Sequence, residues 1–218
     1  MSSSAERALP PLVRALASAL DTGSDRRLPG RAGPGTRSAA VLVMISDSDR
    51  PDITFTERAH TLHHHPGQIS LPGGAVDPGE TAVHTALREA EEEIGLPPTS
   101  VDVLGTLPTA HVTVSRFDVT SVVGVWDGRW PIAAVGVHEV ADVHRIAVDA
   151  LVDPANRATA TLGSGYRGPA FVLGEVFIWG FTAQVVDGVL DLAGWAVPWD
   201  RRRELAVPRR FHRDRAVG

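Results

Sequence analysis

Residues 88–95 read Arg-Glu-Ala-Glu-Glu-Glu-Ile-Gly, a guanidinium and four carboxylates within one short stretch. At about 100° per residue, Glu89, Glu92 and Glu93 share roughly a third of a helix circumference, opposite Leu87 and Ile94. Glu91 points elsewhere. Carboxylates ~5–6 Å apart repel by roughly 3 kcal/mol per pair at an effective dielectric of ~20. On a fully solvated helix the net cost shrinks to ~0.2–0.5 kcal/mol. Acids near a helix C-terminus also oppose its dipole. An enclosed face of this kind therefore calls for a cation. Hard oxygen donors suit Mg²⁺ or Mn²⁺, and Mg²⁺ arrives with substrate phosphates. A solvated acidic face beside Arg88 is the plain alternative.

The neighbouring residues would position such a face. Val83, Leu87, Ala90 and Ile94 recur at helical spacing and form the expected packing face. Gly95 ends the helix and Pro97-Pro98 bars its continuation. Ahead of it, Pro72-Gly73-Gly74 allows a tight turn and a close backbone approach. Asp77-Pro78-Gly79-Glu80 is a turn signal, with Thr81 or Asp77 placed to cap the helix.

Residues Gly74 to Leu96 resemble the Nudix box, G-x5-E-x7-R-E-U-x-E-E-x-G-U with U aliphatic. Gly74, Glu80, Arg88, Glu89, Glu92, Glu93, Gly95 and Leu96 occupy its fixed positions. Ala90 stands at the first aliphatic position, smaller than usual. The resemblance implies an α/β fold, the Nudix α/β/α sandwich with a mixed β-sheet in a single domain. It also implies Mg²⁺- or Mn²⁺-dependent hydrolysis of a diphosphate. Glu89, Glu92 and Glu93 are then expected as metal ligands, with the Gly73 carbonyl as a backbone ligand. Arg88 is expected to orient a box carboxylate, and Glu80 to support the loop–helix geometry. The general base is expected to be Glu89 or Glu139. Glu139, in His138-Glu139-Val140, resembles an acidic position that follows the box in the family.

A second resemblance precedes the box. Phe55-Thr56-Glu57-Arg58, Leu62 and His65-Pro66-Gly67-Gln68-Ile69-Ser70-Leu71-Pro72-Gly73-Gly74 are similar to the segment of the coenzyme A pyrophosphatase branch. Pro169-Ala170-Phe171 and Trp179-Gly180-Phe181-Thr182-Ala183 are also similar to that branch. It implies cleavage of CoA or acyl-CoA to 3′,5′-ADP and (acyl-)4′-phosphopantetheine. Arg58, Gly67, Gln68 and Arg167 are the expected substrate contacts. The chain departs from the branch where His63 replaces an Arg, Ala59 a Ser or Thr, and Leu71 a Phe. Hydrolysis of ADP-ribose, dinucleotides or nucleoside triphosphates is the alternative. A non-catalytic binding module is the reading from another class, disfavoured because no box carboxylate is missing.

Composition narrows the class further. The 218 residues, 43% hydrophobic and 22% charged, suit one globular domain. With no cysteine there is neither a disulfide nor a thiolate metal site. The net charge of −5 argues against a general nucleic-acid binder. All 21 basic residues are Arg, so phosphate contacts would be made by planar guanidinium forks. The start, MSSSAER, has no apolar signal region, and no run of about 18 apolar residues would span a membrane. A cytoplasmic enzyme is expected. A homodimer is common in the family, but no residue demands one. The run His63-His64-His65 lacks the i, i+4 spacing of a zinc helix and reads as a substrate-contacting or solvated loop.

Along the chain, residues 1–37 are expected to hold a short helix (Leu9–Leu20) and a flexible linker. Residues 38–200 are the expected hydrolase domain, and 201–218 an Arg-rich tail that reads as a solvated basic end. Strands are expected at 38–46, 52–57, 68–71, 101–107, 117–126, 143–148, 157–162, 170–173 and 175–177. Loops are expected at 108–115 and 163–168, and a helix at 179–192.

Overall fold

The computed structural model describes residues 11–21, 37–113 and 115–212. The flexible linker expected within residues 1–37, and Leu9 and Pro10 of the expected helix, lie outside these residues. The chain runs α1 (Pro11–Asp21), β1 (Arg37–Ser46), β2 (Asp52–Arg58), β3 (Ile69–Ser70), β4 (Gly73–Ala75) and α2 (Ala82–Ile94). It continues β5 (Val101–Thr106), β6 (Ala110–Val112), β7 (Phe117–Trp126), β8 (Val140–Ala147), α3 (Val148–Val152) and β9 (Arg157–Leu162). Then come β10 (Tyr166–Leu173), β11 (Val176–Ile178), α4 (Gly180–Leu192) and β12 (Glu204–Ala206).

An eight-stranded mixed sheet is built on β1. β1 runs parallel to β7 from Arg37↔Phe117 to Ser46↔Trp126. Its other edge is shared: Met44 and Ile45 pair with β2, while Ala39 to Val41 pair with β4. Where β2 leaves β1, Thr56 and Glu57 pair instead with β3. The segment 69–75 thus threads between two diverging strands, and the Leu42 N–H bonds the Pro72 carbonyl at 2.8 Å. Gly73 and Gly74, expected in a tight turn, instead lie in β4, paired with Val41 and Ala40 beside α2, and the close backbone approach expected of them is made there.

Both faces of β1 are buried, which explains its continuous apolar run. Ala40, Leu42 and Met44 pack with Ala86, Ala90 and Ile94 of α2. Val43 and Ile45 face the other way, into a core shared with Val13 and Leu16 of α1 and Val185, Val186 and Val189 of α4. Helices therefore cover both sheet faces, as the sequence implies. The packing face of α2 is rotated from expectation: Thr85, Ala86 and Ala90 are buried, while Val83 and Leu87 are only partly so. The small Ala86 and Ala90 side chains let the helix approach the sheet closely.

A second sheet, in the order β11-β10-β9-β12, was not legible in the sequence. The loop expected at 163–168 shrinks to 163–165, because Tyr166 and Arg167 pair with Leu162 and Thr161 in the β9–β10 hairpin. The loop expected at 108–115 contains β6, whose Ala110 to Val112 pair with β7. The tail is not simply a solvated end. β12 runs parallel to β9, and Val207 and Phe211 are buried against Ala160, Ala170 and Phe177. Arg157, 1% exposed, pairs with Asp187 of α4 and lies 4.2 Å from the Phe171 ring and 4.7 Å from the Trp199 ring. It ties β9, α4 and the tail together.

No helix among the described residues is long and apolar enough to cross a membrane.

Candidate active site

α2 starts where the Thr81 hydroxyl accepts the His84 N–H at 3.2 Å, the expected cap. It stops at Gly95, whose φ of 72° is left-handed and favours glycine. Between these ends the helix and the preceding loop are joined through charge. Glu80 accepts from the Thr85 hydroxyl at 2.7 Å and from Arg88 Nε at 3.0 Å and Nη2 at 3.2 Å. Hydrogen bonds from Arg88, then from Thr85, hold the Glu80 carboxyl down at about 2. Glu80 thus joins the loop to the helix through Thr85 and Arg88.

Arg88 is the hub of the group. Its Nη1 lies 2.9 Å from Glu89 Oε1 and 3.1 Å from Glu92 Oε2, and its Nη2 reaches the Ala75 carbonyl at 3.4 Å. Hydrogen bonding to Glu80 raises its already high pKa. Arg88 thus contacts two box carboxylates besides Glu80.

The three expected metal ligands differ in environment. Glu93 is 6% exposed; burial, then the nearby Glu89 charge, pushes its carboxyl up to about 8. It accepts a backbone hydrogen bond from Gly73 and is attracted by Arg58, but its Oε2 has no hydrogen-bond partner. Glu89 is half-buried, its pKa raised chiefly by burial and lowered in part by Arg88. Glu92 is largely exposed and turned toward Arg88. Among the described residues no three acidic or histidine groups form a finished metal cage. The single face expected of Glu89, Glu92 and Glu93 is split, because Arg88 holds Glu89 and Glu92 while Glu93 faces inward.

Glu139 is exposed on the loop between β7 and β8, whose backbone bonds the end of α2 through Val135 and Gly136. It pushes the pKa of both Glu89 and Glu93 upward. The donor set is all oxygen and anionic, with one buried oxygen lacking a partner. Those are the properties a hard divalent cation fits.

The pre-box residues lie alongside. The Arg58 N–H bonds the Gln68 carbonyl and the Gly67 N–H bonds the Arg58 carbonyl, each at 3.0 Å. Gly67 has a φ of 66°, and the His60 ring lies where its Cβ would be. The Arg58 charge offsets part of the upward shift of Glu93. Arg167 is not joined to them by any described contact. It stands on β10 in the second sheet and pairs with Glu204 at 2.7 Å. Sequence reading put it on a loop free to reach substrate; hairpin pairing with β9 fixes it elsewhere.

Two features escaped sequence reasoning. Glu57 bridges His60 and His144, 3.2 Å from one Nε2 and 3.0 Å from the other. They line a cleft of about 340 Å³ with Gly67, Arg210 and Phe211. Glu57 lies in the pre-box segment, but no local pattern marks His144 as its partner. The second feature is the loop around Gly136, which packs on the end of α2.

The family model of the NUDIX domain matches residues 36–162. A Nudix hydrolase, NudL, of Cronobacter sakazakii is 36% identical over 72% of this chain and 82% of its own length. NudL of Escherichia coli is 35% identical over 69% of this chain and 79% of its own. Among solved structures, the Nudix hydrolase RenU of M. smegmatis is 25% identical with a TM-score of 0.46, covering 54% of this chain and 74% of that one. The chain belongs to the Nudix family. It is a hydrolase acting on diphosphate bonds, and its family generally uses a divalent metal such as Mg²⁺ or Mn²⁺.

Proposed function

We propose that this enzyme cleaves the diphosphate of CoA or acyl-CoA, releasing 3′,5′-ADP and (acyl-)4′-phosphopantetheine. The observation that carries the reading is the pairing of Arg58 with Gly67 and Gln68 against the buried Glu93.

In this reading Glu89 and Glu93 hold a Mg²⁺ or Mn²⁺ ion, with Glu92 and the Gly73 carbonyl completing its protein ligands. The ion supplies charge neutralisation on the diphosphate and activation of water. Uncatalysed hydrolysis is slow enough that well over ~10 kcal/mol of barrier lowering is needed. Arg88 orients Glu89 and Glu92 through its contacts to both carboxylates. Glu139 is assigned as general base, because Glu89 is already engaged by Arg88 and packed on Gly74. A water oxygen bonds to one phosphorus, the bridging P–O bond breaks, and Glu139 takes the proton. The leaving phosphate departs as an anion, and Arg58 orients the substrate diphosphate. The protein is assigned to the cytoplasm, where CoA is found as a soluble substrate.

Comparison of kcat/KM for CoA, acetyl-CoA, ADP-ribose, NADH and dGTP, with products separated by chromatography, tests this reading. CoA or acetyl-CoA is expected to lead, with 3′,5′-ADP as product. Preference for ADP-ribose or dGTP would retain the diphosphatase and discard the CoA assignment.

A further inference from the structure

The last four carbonyls of an α-helix have no partner within it. In α2 one of these, that of Glu91, is bonded by the Gly95 N–H at 3.0 Å. A remote segment, the loop between β7 and β8, serves two others. The Glu93 carbonyl accepts from the Val135 N–H at 2.9 Å and the Gly136 N–H at 3.4 Å, and that of Ile94 from the Ala133 N–H at 3.3 Å. Just beyond, the Gly95 carbonyl accepts from Trp130 Nε1 at 3.0 Å.

The same loop carries Glu139. The Gly136 carbonyl accepts the Glu139 N–H at 2.7 Å and the Val140 N–H at 2.8 Å, and the Glu139 carbonyl accepts the Ala59 N–H at 2.8 Å. Gly136 therefore bonds on one side to the helix that bears Glu89 and Glu93, and on the other to Glu139. Its fit is tight: a Cβ there would lie 3.3 Å from the Glu92 carbonyl oxygen.

This loop has little core of its own. Trp130, Val135 and Val137 are 49%, 59% and 66% exposed. Ile132 packs partly buried against the α2 core, and hydrogen bonds to the helix end hold the rest of the loop. We propose that Gly136 and Trp130 are positioning residues, which set Glu139 against the box carboxylates by docking its loop on the end of α2. The inference rests on the assignment of Glu139 as general base.

The test is a double-mutant cycle on the full chain. The kcat and KM of wild type, Gly136→Val, Glu139→Gln and the double variant are measured with Mn²⁺ and CoA, or ADP-ribose if CoA is not turned over. Gly136→Val is expected to lower kcat by about 10–100-fold, with KM changed less than about threefold. In the Glu139→Gln background the same change is expected to add no further loss. Trp130→Phe keeps an aromatic ring but loses the pyrrole half of the indole and its N–H. It is expected to lower kcat by about threefold or more, again only when Glu139 is present. An equal loss in both backgrounds, or an unchanged kcat in Gly136→Val and Trp130→Phe, would overturn the positioning role. A near-normal kcat in Glu139→Gln alone would instead remove Glu139 as base, a failure distinct from the first.

Discussion

The Glu89 carboxylate occupies the space that a Cβ on Gly74 would need. This contact gives a steric reason for the first glycine of the box. The loop must pass against the carboxylate, and any side chain would displace it. Gly74→Ala is expected to lower kcat by about 10–100-fold, since a shift of about 1 Å at a reacting group has that effect. Thermal melting is the control: a variant that melts near wild type but retains full activity would contradict the role given to this contact.

The acidic helix, its cap and the loop before it were legible because each depends on local spacing. Thr81 caps, Gly95 stops, and Glu80 reaches Arg88 across a turn and two helical turns. What stayed hidden depends on long-range pairing. The tail reads as basic because seven arginines dominate 199–218. Leu205, Val207 and Phe211 nevertheless fold it onto β9, and three spaced apolar residues are too few for periodicity to reveal. Arg167 was misplaced for the same reason: glycines around it suggested a loop, whereas its register with Thr161 makes it a strand residue. The convergence of Glu139 with Glu93 depends on a loop that crosses from β7 to the end of α2, which no local pattern encodes.

Glu80 predicts an acid limb of stability. Its carboxyl titrates near 4.5 ordinarily and near 2 in the fold, chiefly through Arg88. The depressed value stabilises the native state above the ordinary value, and that contribution is lost as pH falls through the window from 4.5 toward 2. Glu80→Gln is expected to melt several degrees below wild type near neutral pH. The gap should narrow through that window and close at its lower end. A gap independent of pH would show that the Glu80 charge does not matter.

Glu93 predicts the opposite limb. Its folded value of about 8 stands above the ordinary 4.5, so the native state keeps a proton that the unfolded chain releases. Stability therefore falls as pH rises between those values and stays low above them. With a chelator present, Glu93→Gln is expected to flatten this fall and to melt ~3–10 °C above wild type at alkaline pH, for ~1–3 kcal/mol of relieved burial cost. Parallel melting curves would contradict the enclosed environment assigned to Glu93.

Arg157 predicts a structural effect away from the chemistry. Removing one partner of a buried pair costs ~3–5 kcal/mol. Arg157→Ala would leave Asp187 unpaired and open the contact between Phe171 and Trp199. Its melting temperature is expected to drop by ~6–20 °C. A drop of less than about 2 °C would mean the tail is held by β12 and Phe211 alone.

The account turns on a divalent cation held by Glu89 and Glu93. Mn²⁺ titration followed by electron paramagnetic resonance reads this directly, without substrate or turnover. Wild type is expected to bind Mn²⁺ saturably, and Glu93→Gln to weaken that binding by at least about 10-fold, with both proteins folded by circular dichroism. Equal affinity in the two would contradict the site.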